Sequence, residues 1–190
     1  MPVIKFLHYD DSYAYGRPQD IKQLLRYIAK LEATEYPPHS CQHLVGAMPD
    51  IILSGQPGAW KRAAGLFYHQ LELYPNRRRL LQHRVMSFGE EELSNPVMAF
   101  ELAKEVASFY FERGYISFFG VHLDTDNLHI HIAVSTANWR NGNYFSIWDE
   151  DRLLQRGISM WYQNYMQGKK LPLFYVMTTE QWPIFSWARK

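Results

Sequence analysis

His122-Leu-Asp-Thr-Asp-Asn-Leu-His129-Ile-His131-Ile-Ala-Val134 decides how this chain is read. Three histidines and two carboxylates fall within ten residues of an apolar, strand-like pattern. The runs Tyr115 to His122 and Leu128 to Ser135 are each predicted to be strands, joined by a polar turn at Thr125, Asp126 and Asn127. Alternate side chains of a strand share a face, so His129 and His131 point the same way. A hairpin centred on Thr125-Asp126 sets His122 opposite His129, and one centred on Asp126-Asn127 sets it opposite His131. In both registers the three imidazoles share a face, with directly opposed Cβ atoms about 5 Å apart. Such a trio can hold one divalent cation and leave positions open for substrate. In a plain core, adjacent same-face imidazoles would need polar partners. Asp124 either orients a ligand imidazole by a hydrogen bond or shapes the turn, while Asp126 and Asn127 suit the turn itself.

Outward from the hairpin, the pattern alternates between strands and helices. Pro2 to Tyr9 is predicted to be a strand, followed by a polar loop from Asp10 to Pro18. Gln19 to Leu31 has helical spacing at Ile21, Leu24, Leu25 and Ile28. Glu35 to Ser40 holds Pro37-Pro38 and is a loop; Cys41 to Met48 is a short strand. Gln56 to Glu72 is a helix with Pro57 near its first turn, and Leu80 to Phe88 a strand. Asn95 to Arg113 is a long amphipathic helix with Pro96 at its first position and Gly114 just past its end. Asn138 to Phe145, with Asn141-Gly142, suggests another hairpin. Asp149 to Met166 is a helix capped by Asp149 or Asp151, and Leu171 to Lys190 carries no clear pattern. The expected fold class is α/β of the α+β type: a central antiparallel sheet carrying the histidine hairpin, flanked by helices.

The 190 residues suit one domain, 1–190, with an adequate core. Hydrophobic residues make up 47% and charged ones 21%, as in ordinary soluble globular chains. No apolar stretch is long enough to span a bilayer and the N-terminus lacks a signal-peptide pattern, so membrane insertion is not expected. Cys41 is the sole cysteine, which excludes an internal disulfide and a thiolate metal cluster. Net charge is only +1, so any nucleic-acid partner must rely on local basic patches. Lys61-Arg62, Arg77-Arg78-Arg79 and Arg84 are the candidates. Aromatic content of 16% leaves some rings to stack on unpaired bases.

Three segments together resemble the plasmid relaxases, mobilisation nucleases of the HUH endonuclease superfamily. Leu24-Leu25-Arg26-Tyr27-Ile28 looks like the helix bearing that family's nucleophilic tyrosine. His83-Arg84-Val85-Met86-Ser87-Phe88 is similar to its strand ending in serine. His122-x-Asp124-x-x-Asn127-x-His129-x-His131 is similar to its metal motif. Order and separation also match, over roughly residues 20 to 135. The resemblance implies nicking of one DNA strand at an origin of transfer through a 5′-phosphotyrosine, with religation by the reverse reaction. It implies Tyr27 as nucleophile and His122, His129 and His131 as metal ligands, with Asp124 joining the catalytic set by orienting a ligand imidazole. Ser87, Arg77, Arg78, Arg79 and Arg84 would contact DNA.

Imidazoles suit Mn, Co, Ni or Zn better than Mg. The resemblance implies Mg or Mn in the cell, with Zn, Ni or Co among the ions a purified sample would retain. Its implied partner is single-stranded DNA at an origin of transfer with an adjacent hairpin, together with relaxosome accessory proteins and a coupling protein, in a bacterial cytoplasm. Many relaxases continue beyond the nicking domain, so the chain can also be the N-terminal part of a longer protein. Tyr13, Tyr15, Tyr162 and Tyr165 compete with Tyr27. The last two would place the chain with replication initiators or small transposases, whose tyrosine follows the histidines. A non-catalytic DNA-binding module with the same fold is the third reading. A nucleotide hydrolase built on alternating histidines is excluded, because Ala133 stands where its next histidine must be. His83 is expected to be a satisfied structural histidine.

Overall fold

The computed structural model describes residues 3–6, 15–29, 44–49, 59–75, 77–89, 95–123, 128–145 and 150–169, the first of these segments as backbone. Their elements are β1 (Val3–Phe6), α1 (Pro18–Ile28), β2 (Val45–Met48), α2 (Ala59–Leu73), β3 (Leu81–Ser87), α3 (Pro96–Glu112), β4 (Ser117–His122), β5 (His129–Ser135) and α4 (Glu150–Met166). The strands form one five-stranded sheet in the order β1-β3-β5-β4-β2. Every pairing in it is antiparallel. The expected α+β architecture is therefore present, with the histidine-bearing strand β5 at its centre.

Period-two alternation along β5 separates two chemistries. Ile130, Ile132 and Val134 enter a core with Met86, Phe119 and Val121, covered by α3 and α4 through Leu102, Val106, Phe109, Leu154 and Ile158. The opposite face carries Ala133, Phe118 and Leu81 under α1 and α2, through Ile21, Leu24, Leu25, Ile28 and Phe67. Both faces of the sheet are thus covered, and His129 and His131 fall on the α1 side.

Helix ends follow local chemistry. Asp20 accepts the Arg17 backbone N–H at 2.9 Å at the start of α1, with Pro18 in the first turn. Asn95 caps α3 by accepting from Val97 N at 2.9 Å, and Pro96 follows it. Gly114 takes φ +89 just beyond the helix, the left-handed conformation a glycine tolerates there.

Some expectations change. Asp151 lies inside the first turn of α4 rather than capping it; Asp149 lies outside the described residues, as do Pro37-Pro38, Pro57 and Leu171 to Lys190. The expected turn at Asn141-Gly142 does close a short hairpin, with one bridge, Ala137 to Tyr144, flanked by Asn138 N to Asn143 O at 2.9 Å and Phe145 N to Thr136 O at 2.7 Å. Local bonds tighten its tip, Gly142 N to Asn138 O at 2.8 Å and Asn143 N to the Asn141 side chain at 2.9 Å.

Candidate functional site

Of the two registers left open, the sheet takes the first: His122 pairs with His129, and Gly120 with His131. On the α1 face the ring centroids of His122 and His131 lie 4.4 Å apart, of His129 and His131 5.0 Å, and of His122 and His129 5.3 Å. One nitrogen from each of the three rings lies within 4.8 Å of the other two. His122 and His131 are buried and His129 is partly exposed, so the cluster opens at one side.

Two outer contacts orient these rings. The C-terminal end of α1 approaches β4 at Gly120, where a Cβ would sit 2.4 Å from the Ile28 carbonyl oxygen. That carbonyl lies 2.9 Å from His122 Nε2, which must therefore be the donor nitrogen. A neutral His122 then keeps its lone pair on Nδ1. On the other flank, His131 Nδ1 lies 2.9 Å from His83 Nε2. The Tyr15 hydroxyl lies 3.1 Å from His83 Nδ1. His83 is buried, and burial first, then the charge of Arg84, pulls its pKa from 6.5 to about 4. It is therefore neutral near pH 7.

Tyr27 stands over the cluster. It is 51% exposed, in contrast to Ile21, Leu24, Leu25 and Ile28, which form the buried stripe of its helix. Its ring is edge-on to His131 at 5.1 Å, to His122 at 5.6 Å and to His83 at 6.4 Å. The structure thus brings Tyr27 to the histidines. It does not bring Tyr162 or Tyr165, which pack into the α3–α4 core on the other side of the sheet. Tyr15 approaches His83 from beside the cluster. Tyr13, Asp124, Asp126 and Asn127 lie outside the described residues.

Ser87 pairs with His129 across β3 and β5, so it shares the histidine face at the open end. The basic residues are elsewhere. Arg84 is a correction: alternation turns it to the opposite face from His83, where it is 3% exposed. Its Nε and an Nη donate to the two Glu150 oxygens at 3.0 and 2.9 Å, and Tyr110 donates to the same carboxylate. A guanidinium paired this way inside the core offers nothing to DNA. Arg77 donates to the Thr136 carbonyl at 3.3 Å and to the Gly142 carbonyl, holding the 138–145 turn. Arg78 is exposed beside it, and Lys61 and Arg62 are exposed on α2. The Arg77–Arg79 run precedes Leu81, which pairs with Ser135. It therefore lies at the far end of β5 from His129, about 20 Å away at the usual strand rise.

His83 is the residue that sequence reasoning undervalued. It is satisfied and buried, as expected, yet its partner is a member of the trio. The available signal was its parity in the strand ending at Ser87, which puts both side chains on one face.

Fold and site together define an α+β domain with a histidine-lined centre, able to hold a metal ion, on its central strand. The family profile for relaxases, MobA/VirD2-like, nuclease domain, matches residues 50–160, more than half of the 190 residues, and the chain belongs to this family. The matched segment contains His83, His122, His129 and His131, whereas α1 with Tyr27 precedes it. Comparison with curated proteins and with solved structures gave no match. Among the described residues no helix is long and apolar enough to cross a membrane.

Proposed function

We propose that the protein nicks and rejoins one DNA strand at an origin of transfer, with Tyr27 as nucleophile and His122, His129 and His131 as ligands of a divalent cation. The placement of an exposed tyrosine over the histidine trio carries this reading. The donor set suits the group: three neutral imidazoles bind Mn, Zn, Ni or Co readily and leave positions for phosphate oxygens. Mg or Mn is the ion proposed for the cell. When bound, such a cation neutralises charge on the scissile phosphate and orients it.

The remaining steps belong to the chain. A tyrosine phenol is a weak nucleophile at neutral pH, and that of Tyr27 gives up its proton as its oxygen bonds to phosphorus. The bond from phosphorus to the 3′ oxygen breaks, and that oxygen takes up a proton to leave a free 3′-OH. The tyrosyl ester keeps the phosphodiester's energy, so the reverse attack by a 3′-OH religates without ATP. Ser87, on the same face at the open end, donates to the phosphate, and Asp124 supports the ligand set. Arg77, Arg78 and Arg79 contact DNA farther along the sheet. An origin-adjacent hairpin, accessory proteins and a coupling protein in a bacterial cytoplasm complete the setting of conjugative transfer.

The test is adduct formation on single-stranded oligonucleotides drawn from candidate transfer origins, with Mn²⁺ and with chelator. A covalent protein–DNA adduct is expected for wild type, absent with chelator and absent in Tyr27→Phe, but retained in Tyr162→Phe/Tyr165→Phe. Loss only in the downstream double variant would move the protein to the initiator or transposase class. Metal binding with no adduct on any origin would favour a non-catalytic DNA-binding module.

A further inference from the structure

We propose that His83 is a positioning residue: it accepts a hydrogen bond from His131 Nδ1–H and thereby holds that ring in the tautomer whose Nε2 lone pair would be free to bind a cation. This rests on the reading of His122, His129 and His131 as metal ligands.

The geometry is specific. His83 Nε2 and His131 Nδ1 are 2.9 Å apart, and only one proton fits between two ring nitrogens at that distance. The rings lie nearly parallel, 5.1 Å apart at 28°. Register explains the contact: Val85 pairs with His131 and Ala133 with His83, so the two histidines are diagonal neighbours on one face. At the other nitrogen of His83, the Tyr15 hydroxyl at 3.1 Å fixes the ring's rotation.

The proton count then follows. A neutral imidazole carries one N–H, and a ligating nitrogen must be the bare one. If His83 were the donor, the His131 proton would sit on Nε2 and the ligand would be blocked. With His131 as donor, Nε2 is bare and faces away from His83. His83 in turn carries its own proton on Nδ1 and donates it to the Tyr15 oxygen. The order is cation, His131, His83, Tyr15, each ring setting the tautomer of the next. The outer acceptor behind a ligating histidine is commonly a carboxylate, a carbonyl or water. Here it is an uncharged ring, which adds no negative charge beside a site meant for phosphate. Tyr27 also lies against His83, so the same ring supports the wall on which the nucleophile rests.

The experiment titrates the purified 190-residue protein with Mn²⁺ alone by calorimetry, comparing wild type, His83→Phe and His83→Gln. Phe keeps the bulk and removes the acceptor; the Gln amide oxygen restores it. His83→Phe should weaken Mn²⁺ binding roughly 10- to 100-fold, the usual effect of losing an outer partner, and His83→Gln should recover most of it. Equal affinity in wild type and His83→Phe, or equal losses in both variants, overturns the inference. Should His83→Phe fail to fold, ¹⁵N NMR of metal-free wild type decides. A His131 proton on Nδ1 supports the proposal, and one on Nε2 overturns it. A wild type that binds no Mn²⁺ refutes the ligand reading itself and the inference with it, a result distinct from unchanged affinity in the variant.

Discussion

Adjacent in β3, His83 and Arg84 project to opposite faces and do unrelated work. His83 turns toward the histidine trio, and Arg84 turns into the α3–α4 core against Glu150 and Tyr110. A buried ion pair is expensive to break from one side, because the remaining charge stays out of water. Arg84→Met should therefore destabilise the protein by about 3–5 kcal/mol, measured by urea unfolding. Arg84→Met/Glu150→Leu should recover a large part of that, since no lone charge is left. Single-stranded DNA affinity of the folded variants should match wild type. A selective loss of DNA binding in Arg84→Met would instead restore Arg84 as a DNA contact.

The contact between α1 and β4 is the element that assembles the site. Gly120 lets the Ile28 carbonyl come down onto the sheet, where it orients His122 and sets Tyr27 one residue away above the cluster. Gly120→Ala would drive a methyl into that carbonyl and push the end of α1 outward. Overpacking of this kind costs about 1–3 kcal/mol. Displacing the proposed nucleophile by roughly 1 Å lowers a rate on the order of 100-fold, so adduct formation should fall far more than stability does. Leu154→Ala, in the core on the other side of the sheet, is the control: comparable or greater destabilisation with adduct formation retained. Equal activity losses in the two would mean that the close approach serves stability alone. Caps and amphipathic stripes such as Asn95, Pro96 and the Ile21–Leu24–Leu25–Ile28 face were legible beforehand, because each is set within a turn or two of chain.

At the scale of the molecule, folding keeps one histidine out of reach of protons. In metal-free protein the folded pKa of His83 is about 4 against 6.5, so the unfolded chain binds the extra proton and the folded one does not. The His83 contribution to stability is therefore full above pH 6.5, falls as pH drops through the window from 6.5 to 4, and levels off below it. That loss is on the order of 3 kcal/mol at its low-pH limit. Urea midpoints of chelator-treated wild type should drop more steeply through that window than those of His83→Gln, and parallel curves would contradict the assignment.

The sequence by itself determined the α+β class, the strand and helix order and the sharing of one face by His122, His129 and His131, and through its resemblance it singled out Tyr27 as the nucleophile to propose. These depend on period-two and 3.6-residue patterns and on end signals that act over a few residues. Tertiary structure decided the hairpin register, and it set Tyr27 rather than Tyr162 or Tyr165 above the trio. It also joined His83 to His131 and buried Arg84. The contacts behind these outcomes span 48 residues from His83 to His131, 66 from Arg84 to Glu150 and 94 from Ile28 to His122. No local pattern encodes a partner at such distances. Which strand lies beside which, and which helix covers which face, is settled only when the whole apolar surface is buried at once.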